Sequence, residues 1–151
     1  MSAPKRRSGE FVDGEHRIHF PVYYEDTDAG GVVYYANYLR FAERGRTEAL
    51  QLAGIDHINL KNEHGVWFVA RRCIVDYLKP ARLDDMLTIA TSILELKNTS
   101  LLMRQKVIRG TQDIAVVDAF MVCVNENVKP QRIPEPVRDA LLKHMPVQSE
   151  R

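Results

Sequence analysis

The alternation of apolar and polar positions changes character twice along the chain. Residues 1–14 are polar, contain Gly and Pro, and carry Lys5, Arg6 and Arg7, so they read as a flexible amino-terminal arm. Residues 15–24, ending in Pro21-Val22-Tyr23-Tyr24, are rich in aromatic and β-branched side chains and read as a strand. A polar loop with glycines covers 25–31. Beyond it, Tyr38, Ala42, Gly45, Ala49 and Leu52 recur at spacings of four and three, which is one face of a helix, and Gly54 supplies its stop. Ala and Gly dominate this face and let the helix lie close to a sheet. Close packing accounts for Gly45, which otherwise costs about 1 kcal/mol relative to Ala inside a helix.

A polar stretch with Asn59, Lys61, Asn62 and Glu63 follows, and the rest is strand-like. Segments near 66–78, 85–96, 100–109 and 113–125 are rich in Val, Ile, Leu and Thr. The breaks at Lys97-Asn98-Thr99 and Gly110-Thr111-Gln112 are short, as antiparallel hairpins require. In the last segment Ile114, Val116, Phe120, Val122 and Val124 alternate with Ala115, Ala119 and Cys123. Such a strand is apolar on both faces, so the helix is expected over one and a second subunit over the other. Pro130, Pro134 and Pro136 then break the chain, and 137–144 is expected to form a short terminal helix. Strand, long helix and four strands predict an α+β domain over 15–130, in which an antiparallel sheet of five to six strands wraps one central helix. Residues 131–151 form a Pro-rich carboxy-terminal segment.

Composition narrows the function. The chain has 151 residues, which fits one domain. Lys plus Arg number 21 against 20 Asp plus Glu, and a net charge of +1 argues against a nucleic-acid binder. No apolar run approaches the ~18 residues of a membrane span, and none follows the amino-terminal charges as a secretory signal requires. Cys73 and Cys123 show no chelating or redox spacing and lie in apolar segments, so both are expected to be buried, reduced thiols in a cytoplasmic protein. Trp67, Phe68, Met86, Met103 and Met121 are expected in the core or at a subunit contact.

The chain carries no G-x-S-x-G elbow, P-loop or dinucleotide fingerprint. His16 and His19, three apart on a strand, point to opposite faces, and no metal-ligand set is apparent. What remains is the stretch 23–50, YYEDTDAGGVVYYANYLRFAERGRTEAL. Its loop holds Glu25, Asp26 and Asp28, then Gly30-Gly31, just before a helix start. Unpaired amides at a helix start can polarise a carbonyl, and a carboxylate beside them can act as general base or nucleophile. Asp is very common as a plain turn or cap residue, and spacing alone favours that reading.

YYEDTDAGGVVYYANY, ERGRTE, VARRCIVDYLKPARLDD and KNTSLLMRQKV, in this order, resemble the 4-hydroxybenzoyl-CoA thioesterase-like hotdog family, and within it the YbgC-type acyl-CoA thioesterases associated with the Tol–Pal system. The resemblance covers roughly 15–130. It implies a hotdog fold and hydrolysis of an acyl-CoA to CoA and a carboxylic acid, with no cofactor beyond the CoA of the substrate. It places the catalytic aspartate on Asp28 and the family tyrosine on Tyr24. Tyr35 stands where many YbgC-type members have histidine, leaving its amide as an oxyanion donor together with those from Val33 onward. Gly31, Val33 and Asn37 are expected beside the substrate, although Asn37 can equally hydrogen-bond a loop. The turn of Lys97, Asn98, Thr99 and Ser100 is expected beside the CoA nucleotide, where Lys suits a phosphate; a solvated hairpin tip is the alternative. A related thioesterase class carries its acid on the helix, but Glu43 is expected instead to pair with Arg40, Arg46 or a neighbouring subunit. The resemblance also implies a dimer or homotetramer with sites at subunit interfaces. The rival reading is a non-catalytic module that binds an acyl carrier protein or a cell-envelope partner.

Overall fold

The structure is a computed structural model and describes residues 8–148. Its strands are β1 (Glu10–Val12), β2 (Glu15–Pro21), β3 (Trp67–Tyr77), β4 (Met86–Leu96), β5 (Ser100–Arg109) and β6 (Gln112–Val124). Its helices are α1 (Asn37–Leu52), α2 (His57–His64) and α3 (Glu135–His144). The strands form one sheet in the order β1-β2-β4-β5-β6-β3, antiparallel throughout. The sheet curves around α1 as expected, and β3 to β6 lie within a residue or two of their expected places.

Small residues let α1 press into the sheet. Ala42 and Ala49 are fully buried. At Gly45 a Cβ would lie 2.6 Å from Ile89 Cγ2, so no side chain fits. Tyr38 and Phe41 fill the space nearer the helix start with Phe20, Val22, Leu87 and Val107. The last turn departs from the expected face: Leu52 is 39% exposed, while Leu50 and Ala53 pack with Ile55, Leu60, Val137 and Leu141. This second cluster is why α3 belongs to the body of the domain.

Several expectations are corrected. Residues 10–12, assigned to the arm, pair with β2 as β1; residues 1–7 lie outside the described residues. The first long strand stops at Pro21, and Tyr24–Asp26 form a single 3₁₀ turn. The polar stretch around 57–64 is a helix. Asp56 caps it by accepting from the Ile58 N–H at 2.8 Å, and Gly65 ends it at φ 65°. Met86 is exposed because it alternates with the buried Leu87 at the start of β4. Cys73 is exposed, because β3 is the sheet edge and residues 70–74 in its middle are uncovered. Cys123 is buried as expected, and burial pushes its thiol up to about 11, which leaves it unreactive at neutral pH. Trp67 is half-buried, with Lys61 Nζ 5.7 Å from its ring, while Phe68 and Met103 are core. His16 is buried and His19 exposed, as their spacing requires. Among the described residues no helix is long and apolar enough to cross a membrane.

Candidate active site

The loop between β2 and α1 is built on Asp26. Its side chain accepts from the Tyr23 N–H at 2.8 Å, and its carbonyl accepts from the Tyr34 N–H at 3.0 Å and from Asn37 Nδ2 at 2.9 Å. Asp26 is therefore framework. Of the two roles open to Asn37, the structure shows the loop contact.

Asp28 is placed differently. Its N–H donates to the Val32 carbonyl at 2.9 Å, and its carbonyl accepts from the Gly31 N–H at 3.1 Å across a turn that Gly31 closes at φ 78°. That φ favours glycine. Asp28 Oδ1 accepts from the N–H of Gly30 at 2.8 Å and more weakly from that of Val32 at 3.4 Å. Oδ2 has no hydrogen bond among the described residues, and the side chain is exposed. One oxygen is anchored and the other is open.

The amides expected to face a carbonyl divide in the same way. The Val33 N–H donates to Ala81 O at 2.8 Å and the Tyr34 N–H to Asp26 O, so neither is available. The Tyr35 N–H has no acceptor among the described residues. Nor has the N–H of Ala36, which sequence reasoning missed. Ala36 is the N-cap of α1 and carries no capping side chain; the N–H groups of Asn37, Tyr38 and Leu39 are taken by the Tyr34, Tyr35 and Ala36 carbonyls, which leaves the Tyr35 and Ala36 amides as the open pair.

Beside them an open cleft of about 280 Å³ is lined by Val33, Tyr35, Tyr38, Tyr77 and Lys79. Tyr77, also missed from sequence, donates from its hydroxyl to Tyr35 O at 3.2 Å and meets the Tyr35 ring edge-on with centroids 6.2 Å apart. It also packs edge-on against Tyr38. Alternation from the buried Phe68 would put Tyr77, nine residues on, on the outer face; a register shift between Ala70 and Arg72 returns it to the α1 side, so the sequence pattern carried no signal for it. Burial holds the Tyr38 phenol above its ordinary range, and the hydrogen-bonded Tyr35 phenol does the same for Tyr34. Both stay protonated at neutral pH, so neither is a base. The Tyr24 ring is 83% exposed. The cleft is an aromatic wall that includes Tyr35, whose amide is open, and Asp28 lies on the loop that leads to it through Val33.

The Lys97–Ser100 turn lies elsewhere. Lys97 and Ser100 line a cavity of about 180 Å³ with Arg71, Glu95 and Phe120. Asn98 and Thr99 use their carbonyls to accept from the Ile133 and Cys123 amides, both at 2.8 Å. Ser100 pairs with Val122, which pairs with Val69, whereas the Asp28 loop is tied to the Tyr77 end of β3. Eight residues of strand separate these ends, about 26 Å. One chain does not bring the two expected parts of the site together.

A profile described as the thioesterase-like superfamily matches residues 22–141. An acyl-CoA thioesterase YbgC of Haemophilus influenzae is 40% identical over 129 residues, covering 83% of this chain and 95% of that protein. An acyl-CoA thioester hydrolase YbgC of Escherichia coli O6:H1 is 43% identical over 118 residues, covering 77% and 87%. Among solved structures, a probable thioesterase from Bartonella henselae superposes with TM-score 0.75 at 35% identity, covering 80% of this chain and 99% of that one. A 4-hydroxybenzoyl-CoA thioesterase mutant complexed with 4-hydroxybenzoyl-CoA superposes with TM-score 0.80 at 22% identity, covering 85% and 99%, a likeness of fold.

Proposed function

The chain belongs to the thioesterase-like superfamily, and on that premise we propose that Asp28 drives the attack on an acyl-CoA thioester while the Tyr35 N–H holds the carbonyl oxygen. The overall reaction of this acyl-CoA thioester hydrolase consumes water and releases a carboxylic acid and CoA. Asp28 serves it in one of two ways. As general base it takes a proton from water as the water adds to the carbonyl carbon. As nucleophile it forms a mixed anhydride that water then cleaves. In both routes negative charge develops on the carbonyl oxygen, where the open Tyr35 and Ala36 amides at the start of α1 are placed to receive it. The observation that carries this reading is the half-anchored carboxylate on the same loop as those amides. No metal or redox cofactor takes part in either route. We place the enzyme in the cytoplasm, with its acyl-CoA substrate.

Assembly is part of the proposal. β3 is an edge strand of eleven residues, exposed over most of its length, and an unpaired edge of this kind is a template for another strand. Antiparallel pairing with β3 of a second copy sets the Tyr77 end of one strand beside the Trp67 end of the other. It thereby carries the Lys97 turn of one copy toward the Asp28 loop of its partner, and Lys97 then serves a CoA phosphate. Phe120, Val116 and Ile74 on the outer sheet face offer a second contact that would join two such dimers into a tetramer.

The test is incubation of pure protein with a panel of short, long and aromatic acyl-CoAs, with free thiol as the readout. Release of CoA from at least one member is expected. Binding of an acyl carrier protein or a cell-envelope partner with no turnover of any member would instead favour the non-catalytic module.

A further inference from the structure

The peptide unit between Tyr35 and Ala36 carries an open donor and an occupied acceptor. Its N–H is that of Ala36, which has no acceptor among the described residues. Its carbonyl is that of Tyr35, and the Tyr77 hydroxyl donates to that oxygen at 3.2 Å. Partial double-bond character makes the unit one rigid plane, with N–H and C=O on opposite sides when it is trans. Holding the oxygen therefore fixes the direction of the N–H. Ala36 has helical dihedrals (φ −68°, ψ −21°), so that N–H points back out of the start of α1.

Little else holds that plane. In the body of an α-helix each carbonyl accepts from the amide four residues on. Here the Leu39 N–H turns instead to Ala36 O at 3.2 Å, and Tyr35 O is left with the Tyr38 N–H at 3.4 Å, a long contact. The Tyr77 hydroxyl supplies the shorter of the two. It is presented from the sheet rather than from the loop. Tyr77 ends β3 opposite the fully buried Ala115 of β6, and the amides of Leu78 and Lys79 that follow donate to Ile114 O at 2.9 and 3.0 Å. Edge-on contacts with the Tyr35 and Tyr38 rings, at centroid distances of 6.2 and 5.7 Å, orient its own ring.

We propose that Tyr77 is a positioning residue for thioester hydrolysis: its hydroxyl holds the Tyr35–Ala36 peptide so that the Ala36 N–H meets the carbonyl oxygen of the substrate. The proposal rests on the hydrolase reading, with the oxyanion at the start of α1, and adds that the second of its two amides depends on β3. As negative charge builds on the substrate oxygen, it polarises the Ala36 N–H. The Tyr35 oxygen of the same plane becomes a stronger acceptor, and the Tyr77 hydrogen bond strengthens with it. An interaction that is stronger in the transition state than in the bound substrate acts on kcat rather than on KM. Tyr77 transfers no proton in this role.

The experiment uses the acyl-CoA of the panel that wild type hydrolyses fastest. Tyr77→Phe keeps the ring and removes the hydroxyl alone. It is expected to lower kcat by about two- to tenfold, the worth of one neutral hydrogen bond, with KM little changed. The second readout is the infrared band of a ketone analogue of that substrate, isotope-labelled at the carbonyl, in which a methylene replaces the thioester sulfur. Bound to wild type, its carbonyl stretch is expected at lower frequency than in water, because the amide donors polarise it. Tyr77→Phe is expected to return the band part of the way, which a loss of packing would not do. An unchanged kcat overturns the proposal, and so does a loss carried by KM alone, which would put the hydroxyl on the substrate itself. A slowed variant with the band at its wild-type frequency overturns it as well. Wild-type turnover by Asp28→Asn beside a slowed and band-shifted Tyr77→Phe would remove Asp28 from the mechanism and leave Tyr77 in its role. Release of CoA from no member of the panel overturns the hydrolase reading itself, and this proposal with it.

Discussion

At the scale of single residues, Asp26 and Asp28 look alike in sequence and differ in structure. Asp26 spends its side chain and its carbonyl on the loop, while Asp28 keeps one oxygen open. Asn at position 28 can still accept from Gly30 and Val32 through its amide oxygen, so the loop survives while the base and nucleophile are lost. Asp28→Asn is therefore expected to lower kcat by about 10²–10⁴-fold with the fold intact by circular dichroism. Asp26→Asn, which keeps an acceptor for Tyr23, is expected to cost far less. Near-wild-type turnover by both variants would remove Asp28 from the mechanism. The motif made Asp28 legible, but the accounting of amides was not, since whether Val33, Tyr34 or Tyr35 is open depends on Ala81 and Asp26 across the loop.

His16 is a residue-scale case that sequence left unassigned. It is fully buried, its Nε2 meets Ser8 O, and its Nδ1 has no hydrogen-bond partner among the described residues. Burial lowers its pKa, against smaller upward contributions from the Ser8 carbonyl and Glu48. The unfolded chain therefore binds a proton at higher pH than the folded one, so stability is fully present above the unfolded pKa of about 6.5 and is lost as pH falls through it toward the folded value. Thermal melts of wild type should show Tm falling from pH 7.5 to 5.5, and His16→Gln should flatten that slope. Equal slopes in the two proteins would mean that His16 does not carry the acid sensitivity.

At the scale of elements, most of the sheet was legible because β4, β5 and β6 are bounded by short polar turns and are long and apolar. What escaped was local chemistry without periodicity. α2 buries only Leu60, so it has no apolar face to betray it, and its signals were the Asp56 cap and the Gly65 stop. β1 is three residues of a polar segment whose pairing partner decides its state. The small-residue face of α1 was legible, and its cause can be measured. Gly45→Ala gains about 1 kcal/mol of helix propensity, but its Cβ would meet Ile89 Cγ2 at 2.6 Å and Gln105 Nε2 at 3.0 Å. Overpacking of this kind costs about 1–3 kcal/mol, so chemical denaturation should show a net loss of stability. A stabilised variant would show that α1 has room to withdraw from the sheet.

At the scale of the whole molecule, Asp28 and Lys97 belong to opposite ends of one sheet, and the resemblance that named both could not reveal that separation. A shared site across two copies makes a sharp prediction. Light scattering should give a mass that is a multiple of 17.3 kDa. Lys97→Ala alone should raise KM by about tenfold, the lower range for a charge-assisted contact at an exposed position, with little change in kcat. Now let Lys97→Ala protein be exchanged with an excess of Asp28→Asn protein, so that nearly every Lys97→Ala copy sits in a mixed dimer. If each site takes Asp28 from one copy and Lys97 from the other, every mixed dimer holds one doubly damaged site and one wild-type site. The surviving turnover then shows the wild-type KM, although neither parent does so with full kcat. If each site lies within one chain, the only active sites carry Asp28 with Ala in place of Lys97, and KM stays raised. A raised KM in the mixture, or an active wild-type monomer in light scattering, would return the Lys97 turn to solvent and leave the Asp28 loop to work alone.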